Sequence, residues 1–119
     1  MTLTRREFIG STSATLVAAV RLPGSAQSIK PRLARKDSFF GIHLDLHPNK
    51  EDTVLGRDVT EEMIEDFLNR VEPDYVQYDC KGHPGYAGYP TQVGTPSPGI
   101  VNDSLAIWRR VTARHGVGL

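Results

Sequence analysis

Three observations predict an α/β fold for this chain of 119 residues. Segments with period-two alternation are separated by segments with helical spacing, in the order β-α-β-α-β, which implies parallel strands joined by right-handed crossovers. Both complete strand segments carry polar residues on one face near their C-terminal ends, where a (β/α)8 barrel builds its site. No glycine-rich fingerprint follows the first strand, since Asp45-Leu46-His47-Pro48-Asn49 cannot cradle a pyrophosphate, and this disfavours an open dinucleotide-binding sheet. The expectation is an incomplete (β/α)8 (TIM) barrel, comprising the first two βα units and the start of strand 3. A whole barrel needs about 250 residues, so residues 38–119 read as an N-terminal fragment of a longer product.

Residues 1–36 hold seven bases and one acid, whereas residues 37–119 hold seven bases and 13 acids. A basic leader therefore precedes a mildly acidic body. Thr4-Arg5-Arg6-Glu7-Phe8-Ile9-Gly10 resembles the twin-arginine export motif, and a short, weakly apolar stretch from Ser11 to Val20 follows it. Gly24-Ser25-Ala26 offers small residues for cleavage after Ala26. Residues 1–26 thus read as a twin-arginine signal peptide that engages the export machinery and sends the product to the periplasm or outside the cell. Residues 27–37, with Pro31 and no periodicity, read as a linker. No apolar run approaches the roughly 18–20 residues of a membrane span, so no stable membrane anchor is expected. The body has no basic patch with interleaved aromatics, so no nucleic-acid partner is expected. The single cysteine excludes an internal disulfide framework and a four-cysteine zinc site.

Ser38 to His47 alternates, with Phe40, Ile42, Leu44 and Leu46 on one face and Gly41, His43, Asp45 and His47 on the other. Pro48-Asn49 ends this strand. Asp58 or Thr60 can cap a helix whose apolar stripe is Met63, Ile64, Phe67, Leu68 and Val71, stopped by Pro73. Asp74 to Cys80 alternates again, placing Tyr75, Gln77 and Asp79 opposite Val76, Tyr78 and Cys80. Lys81 to Gly99 has five glycines and four prolines and reads as a long loop, a class usually kept for function. Asn102 or Asp103 can cap a second helix with Leu105, Trp108 and Val111 inward and Ile107 flanking, ended by Gly116 behind Arg114 and His115. Val117-Gly118-Leu119 reads as the opening of a third strand.

His43, Asp45 and His47 stand about 6.6–7 Å apart along one strand face. Histidines and a carboxylate in that row are oriented donors and acceptors for sugar hydroxyls. The row also has the ligand types of an early metal site, as in a metal-dependent hydrolase. The plain structural alternative is a packing role for His43 and a loop-capping role for His47. Asp79, Lys81 and His83 follow the second strand and complete the candidate pocket. Asp79 can bind a substrate hydroxyl or form a local ion pair with Lys81, and His83 is either a pocket group or a solvated loop residue. Tyr86 and Tyr89 can serve as an apolar platform for a sugar ring or as ordinary loop tyrosines. Cys80, sharing a face with Val76, reads as a packed thiol, and Trp108 as core.

Phe39 to His47, together with Pro73 to Gly85 and Tyr89-Pro90-Thr91, resembles the N-terminal part of bacterial α-L-fucosidase-type glycoside hydrolases. The resemblance implies a barrel domain that hydrolyses terminal fucosyl or related bonds with retention, acting on a fucose-containing oligosaccharide without a cofactor. In that family a first-strand histidine contacts the sugar, and His43 is its positional match. The nucleophile and the acid/base come from later strands, so the resemblance assigns no catalytic residue to this chain and implies that the fragment is inactive. Asp45 and Asp79 remain pocket candidates only. Two alternatives stand beside this reading: the metal-dependent hydrolase, and a secreted carbohydrate-binding module without catalysis.

Overall fold

The computed structural model describes residues 30–119. The signal peptide assigned to 1–26, with Arg5, Arg6 and Ala26, lies outside the described residues. Of the segment read as linker, residues 30–37 include a 3-10 turn at Arg35–Asp37, and the Lys30 N–H donates to the Arg114 carbonyl at 3.4 Å. That end of the segment is therefore attached to the domain.

The first strand, β1 (Gly41–Leu44), is shorter than its alternating segment. Helix α1 (Glu61–Val71) leads to β2 (Tyr75–Tyr78), which pairs parallel with β1 in the register Gly41–Tyr75 to Leu44–Tyr78. Thr60, not Asp58, caps α1: its Oγ1 accepts from the Met63 N–H at 3.1 Å. Glu72 closes the helix in the left-handed region, φ 51°, immediately before Pro73. Helix α2 (Ser104–His115) is capped by Asp103, whose Oδ1 accepts from the Ala106 N–H at 3.0 Å, and ends on Gly116 at φ 70°.

The two helices and β2 share one core. Ile64 and Leu68 of α1, Val76 of β2, and Ile107, Trp108 and Val111 of α2 are buried together, with Leu44, Phe67, Tyr78 and Val117 packed against them. Phe67 meets Trp108 edge-on at 5.7 Å between centroids. Outside the core, Glu61 bridges Arg114 at 2.8 Å and Arg110 at 3.1 Å, and those guanidiniums hold its carboxyl below the ordinary range.

The expectation of an incomplete TIM barrel is not met. The described residues form a small domain of two helices and two short, parallel, two-stranded sheets. The second sheet, β3 (Tyr86–Ala87) with β4 (Thr95–Pro96), lies inside the segment read as one long loop. A barrel wall is defined by continuous lateral pairing with a fixed shear, and here each sheet ends after two strands. The predicted third strand is reduced to one parallel bridge, Tyr75 to Gly118. Polar strand ends and a missing glycine fingerprint accompany many parallel βα arrangements, so they could not select a barrel.

Asp74 fastens the approach to β1. Its Oδ2 accepts from the Phe39 and Phe40 N–H groups at 2.7 and 2.8 Å, and these bonds, Phe40's first, hold the carboxyl below its ordinary value of 3.8. A lowered native pKa adds stability that is complete above the unfolded value and is lost as pH falls through the native one. The thermal midpoint of Asp74→Asn should therefore lie below that of the parent at neutral pH. The gap should close as pH drops below 3.8, which melts at a series of pH values will measure.

Candidate functional site

The alternation of β1 sorts its side chains in tertiary space. Leu44 packs toward the helices, whereas His43, Asp45 and His47 are exposed on the opposite face. Asp79 follows β2 directly, and its N–H donates to the Leu44 carbonyl at 3.2 Å. This extends the register by one position and sets Asp79 laterally beside Asp45.

Two histidine–carboxylate pairs result. His43 Nε2 lies 3.0 Å from Asp79 Oδ1, with side-chain exposures of 50% and 29%. His47 Nε2 lies 2.6 Å from Asp45 Oδ1. An ionised carboxylate only accepts, so each imidazole is the donor. The bond from His43 is the main cause of a lowered Asp79 pKa, working against partial desolvation, with smaller help from Gln77 and Asp45. Gln77, on the same alternating face as Asp79, joins the site although it is not among the expected pocket residues. It stands opposite His43 in the β1–β2 register.

The loops that follow β1 and β2 are zipped together above this cluster. Leu55 N–H donates to the Gly99 carbonyl at 2.8 Å, and Val101 N–H to the Leu55 carbonyl at 3.0 Å. Ser97 Oγ donates to the Asn49 carbonyl at 2.8 Å, and Asn102 Nδ2 to the Val59 carbonyl at 3.0 Å. Pro48 is fully buried under this junction, and a Cβ at Gly82 would come within 3.0 Å of its ring nitrogen. The close approach brings His83 to His47, with ring centroids 5.0 Å apart and planes tilted by 59°. Leu46, His47, Asp79, Lys81, Gly82 and His83 line one small pocket.

Of the six residues expected to form the pocket, His47, Asp79, Lys81 and His83 line it, whereas His43 and Asp45 do not and are joined to it through their bonds to Asp79 and His47. Lys81 does not pair with Asp79; its Nζ reaches the Gly82 carbonyl at 3.5 Å, because the chain turns into the Lys81–Ala87 bridge and carries the side chain away. Tyr86 and Tyr89 are half-buried, Tyr86 within β3, and neither borders that pocket. Cys80 is exposed, not packed, with Sγ 3.7 Å from the Tyr78 carbonyl and its thiol pushed up by partial burial and the Asp79 charge. Alternation fails there because β2 ends at Tyr78.

The arrangement offers two imidazole donors, His43 and His47, and two carboxylate acceptors, Asp79 and Asp45, on an open strand end, with the His83 ring beside His47. Comparison of the chain with protein-family profiles, with curated proteins and with solved structures finds no match.

Proposed function

We propose that this strand end binds the terminal sugar of a glycoside hydrolase substrate, a fucosyl or related residue, and that the protein is exported by the twin-arginine route. The observation that carries the reading is the lateral placement of the His43–Asp79 and Asp45–His47 pairs, which alternate donors and acceptors on an exposed face. The residues of the fucosidase-like segments support the choice of sugar, and the Arg5-Arg6 leader supports export.

Binding, not bond cleavage, is the role assigned to these residues. Retaining hydrolysis uses a nucleophilic carboxylate and a protonated carboxyl about 5–5.5 Å apart. Asp79 is held ionised by His43, and Asp45 accepts from His47, so neither is arranged as the proton donor. Turnover of an aryl fucoside by the 119-residue chain should stay at background.

Titration of the full chain with L-fucose in EDTA-containing buffer, followed by nuclear magnetic resonance, tests the proposal. Saturable shifts are expected at His43, Asp45, His47, Asp79 and His83, with a dissociation constant of about 1–10 mM. Asp79→Asn and His43→Ala should each weaken binding about tenfold, the loss of one charge-assisted hydrogen bond. Absence of saturation, or shifts that avoid these residues, would overturn it.

A further inference from the structure

His43, Asp45 and Asp79 each offer one ligand atom, and the three atoms lie within 4.8 Å of one another. The set is drawn from two strands: His43 and Asp45 share a face of the first, and the β1–β2 register delivers Asp79 from the second. Zinc-class ions bind nitrogen and carboxylate oxygen at about 2.0–2.2 Å, which leaves neighbouring ligands of one ion roughly 3.3 Å apart. His43 Nε2 and Asp79 Oδ1 already stand 3.0 Å apart.

Charge balance points the same way. Asp45 and Asp79 lie side by side just beyond the ends of β1 and β2. Among the described residues the ion-pair partners of these two carboxylates are His47 and His43 alone. The nearby cation, Lys81, is spent on the Gly82 carbonyl. A dication between the two aspartates would neutralise both.

We infer that His43 Nε2, Asp45 and Asp79 bind one first-row divalent ion of the zinc class, with water completing its coordination. One imidazole and two carboxylates suit such an ion better than a thiolate-seeking metal does. His47, on the same Asp45 carboxylate at 2.6 Å, is a positioning residue that orients this ligand. Metal binding replaces the hydrogen bond that Nε2–H donates to Asp79: His43 then carries its proton on Nδ1 and offers the Nε2 lone pair to the ion. The ligand set differs from the single-strand row His43, Asp45 and His47, because the sequence could not show that Asp79 arrives beside Asp45. This inference does not depend on sugar binding.

The test is calorimetric titration of the EDTA-stripped, dialysed full chain with ZnCl2 in the absence of sugar. One ion per chain is expected. His43→Ala and Asp79→Asn should each abolish stoichiometric uptake, and His47→Gln should weaken it about 10–100-fold, whereas His115→Gln should leave it unchanged. Circular dichroism will show that each variant is folded. Should a variant fail to fold, the wild-type imidazole resonances decide: Zn2+ must shift those of His43 and leave those of His115 in place. No saturable uptake, or uptake that survives both ligand substitutions and shifts only His47 and His83, overturns the inference. Since fucose is titrated in EDTA and zinc without sugar, failure of one leaves the other standing.

Discussion

Trp108→Ala should cost about 3–5 kcal/mol, the range for emptying a buried aromatic site. Trp108 is 5% exposed and touches both halves of the core, meeting Phe67 of α1 edge-on and lying beside Val111 within α2. A domain of this size has a total stability of roughly 5–13 kcal/mol at the usual 0.05–0.15 per residue. Truncation therefore removes a large part of the whole. Each kcal/mol moves the midpoint by about 4–8 °C in small domains, so a fall of at least 12 °C is expected in a far-ultraviolet melt. Trp108→Phe, which keeps an aromatic ring, should lose less than half as much. Equal melting of the alanine variant and the parent would mean that α2 does not dock as described.

Gly99→Ala should be the most damaging single methyl in the loops. A Cβ at Gly99 would overlap the Asp52 carbonyl and crowd the Thr53 amide, both backbone atoms that cannot rotate aside. To admit it, the loop after β1 must separate from the segment before α2, at the bond from Leu55 N–H to the Gly99 carbonyl. Overpacking of this kind costs about 1–3 kcal/mol, and breaking a buried backbone hydrogen bond adds about 1–3 more. The effect should be local as well as global. The His47 and His83 resonances should broaden or shift, because the same junction holds those rings together. Gly85→Ala makes the contrasting control: no atom lies within 4 Å of its Cβ position, and its cost is confined to a backbone φ of 96°.

Much of the local structure was legible in the residues. Of the stripe Met63, Ile64, Phe67, Leu68 and Val71, Ile64 and Leu68 are buried and Phe67 packs against the core, as a 3.6-residue period requires, but Met63 is 41% exposed; in α2 Trp108 and Val111 are buried as expected, whereas Ile107, expected only to flank, is buried and Leu105 is half-buried. Thr60 and Asp103 were among the caps expected, Glu72 before Pro73 closed α1, and Gly116 closed α2. Alternation placed His43, Asp45 and His47 opposite Leu44. The architecture was not legible. The Lys81 to Gly99 segment looked like loop because glycine and proline dominate it, yet it contains β3 and β4, whose pairing relies on partners nine residues away. The barrel expectation failed at that point, and again where Val117-Gly118-Leu119 supplied one bridge instead of a strand.

Sequence by itself determined which side chains share a face within the strands, where the helices end, and which groups are chemically able to act. Only the tertiary structure decided that Asp79, and not Lys81, is the partner that His43 meets at 3.0 Å, and that His83 folds back onto His47. The physical reason is that periodicity is a property of one segment, whereas register and loop docking are agreements between segments. A shift of one residue between β1 and β2 would preserve every local pattern, the Asp45–His47 pair included, and still part His43 from Asp79.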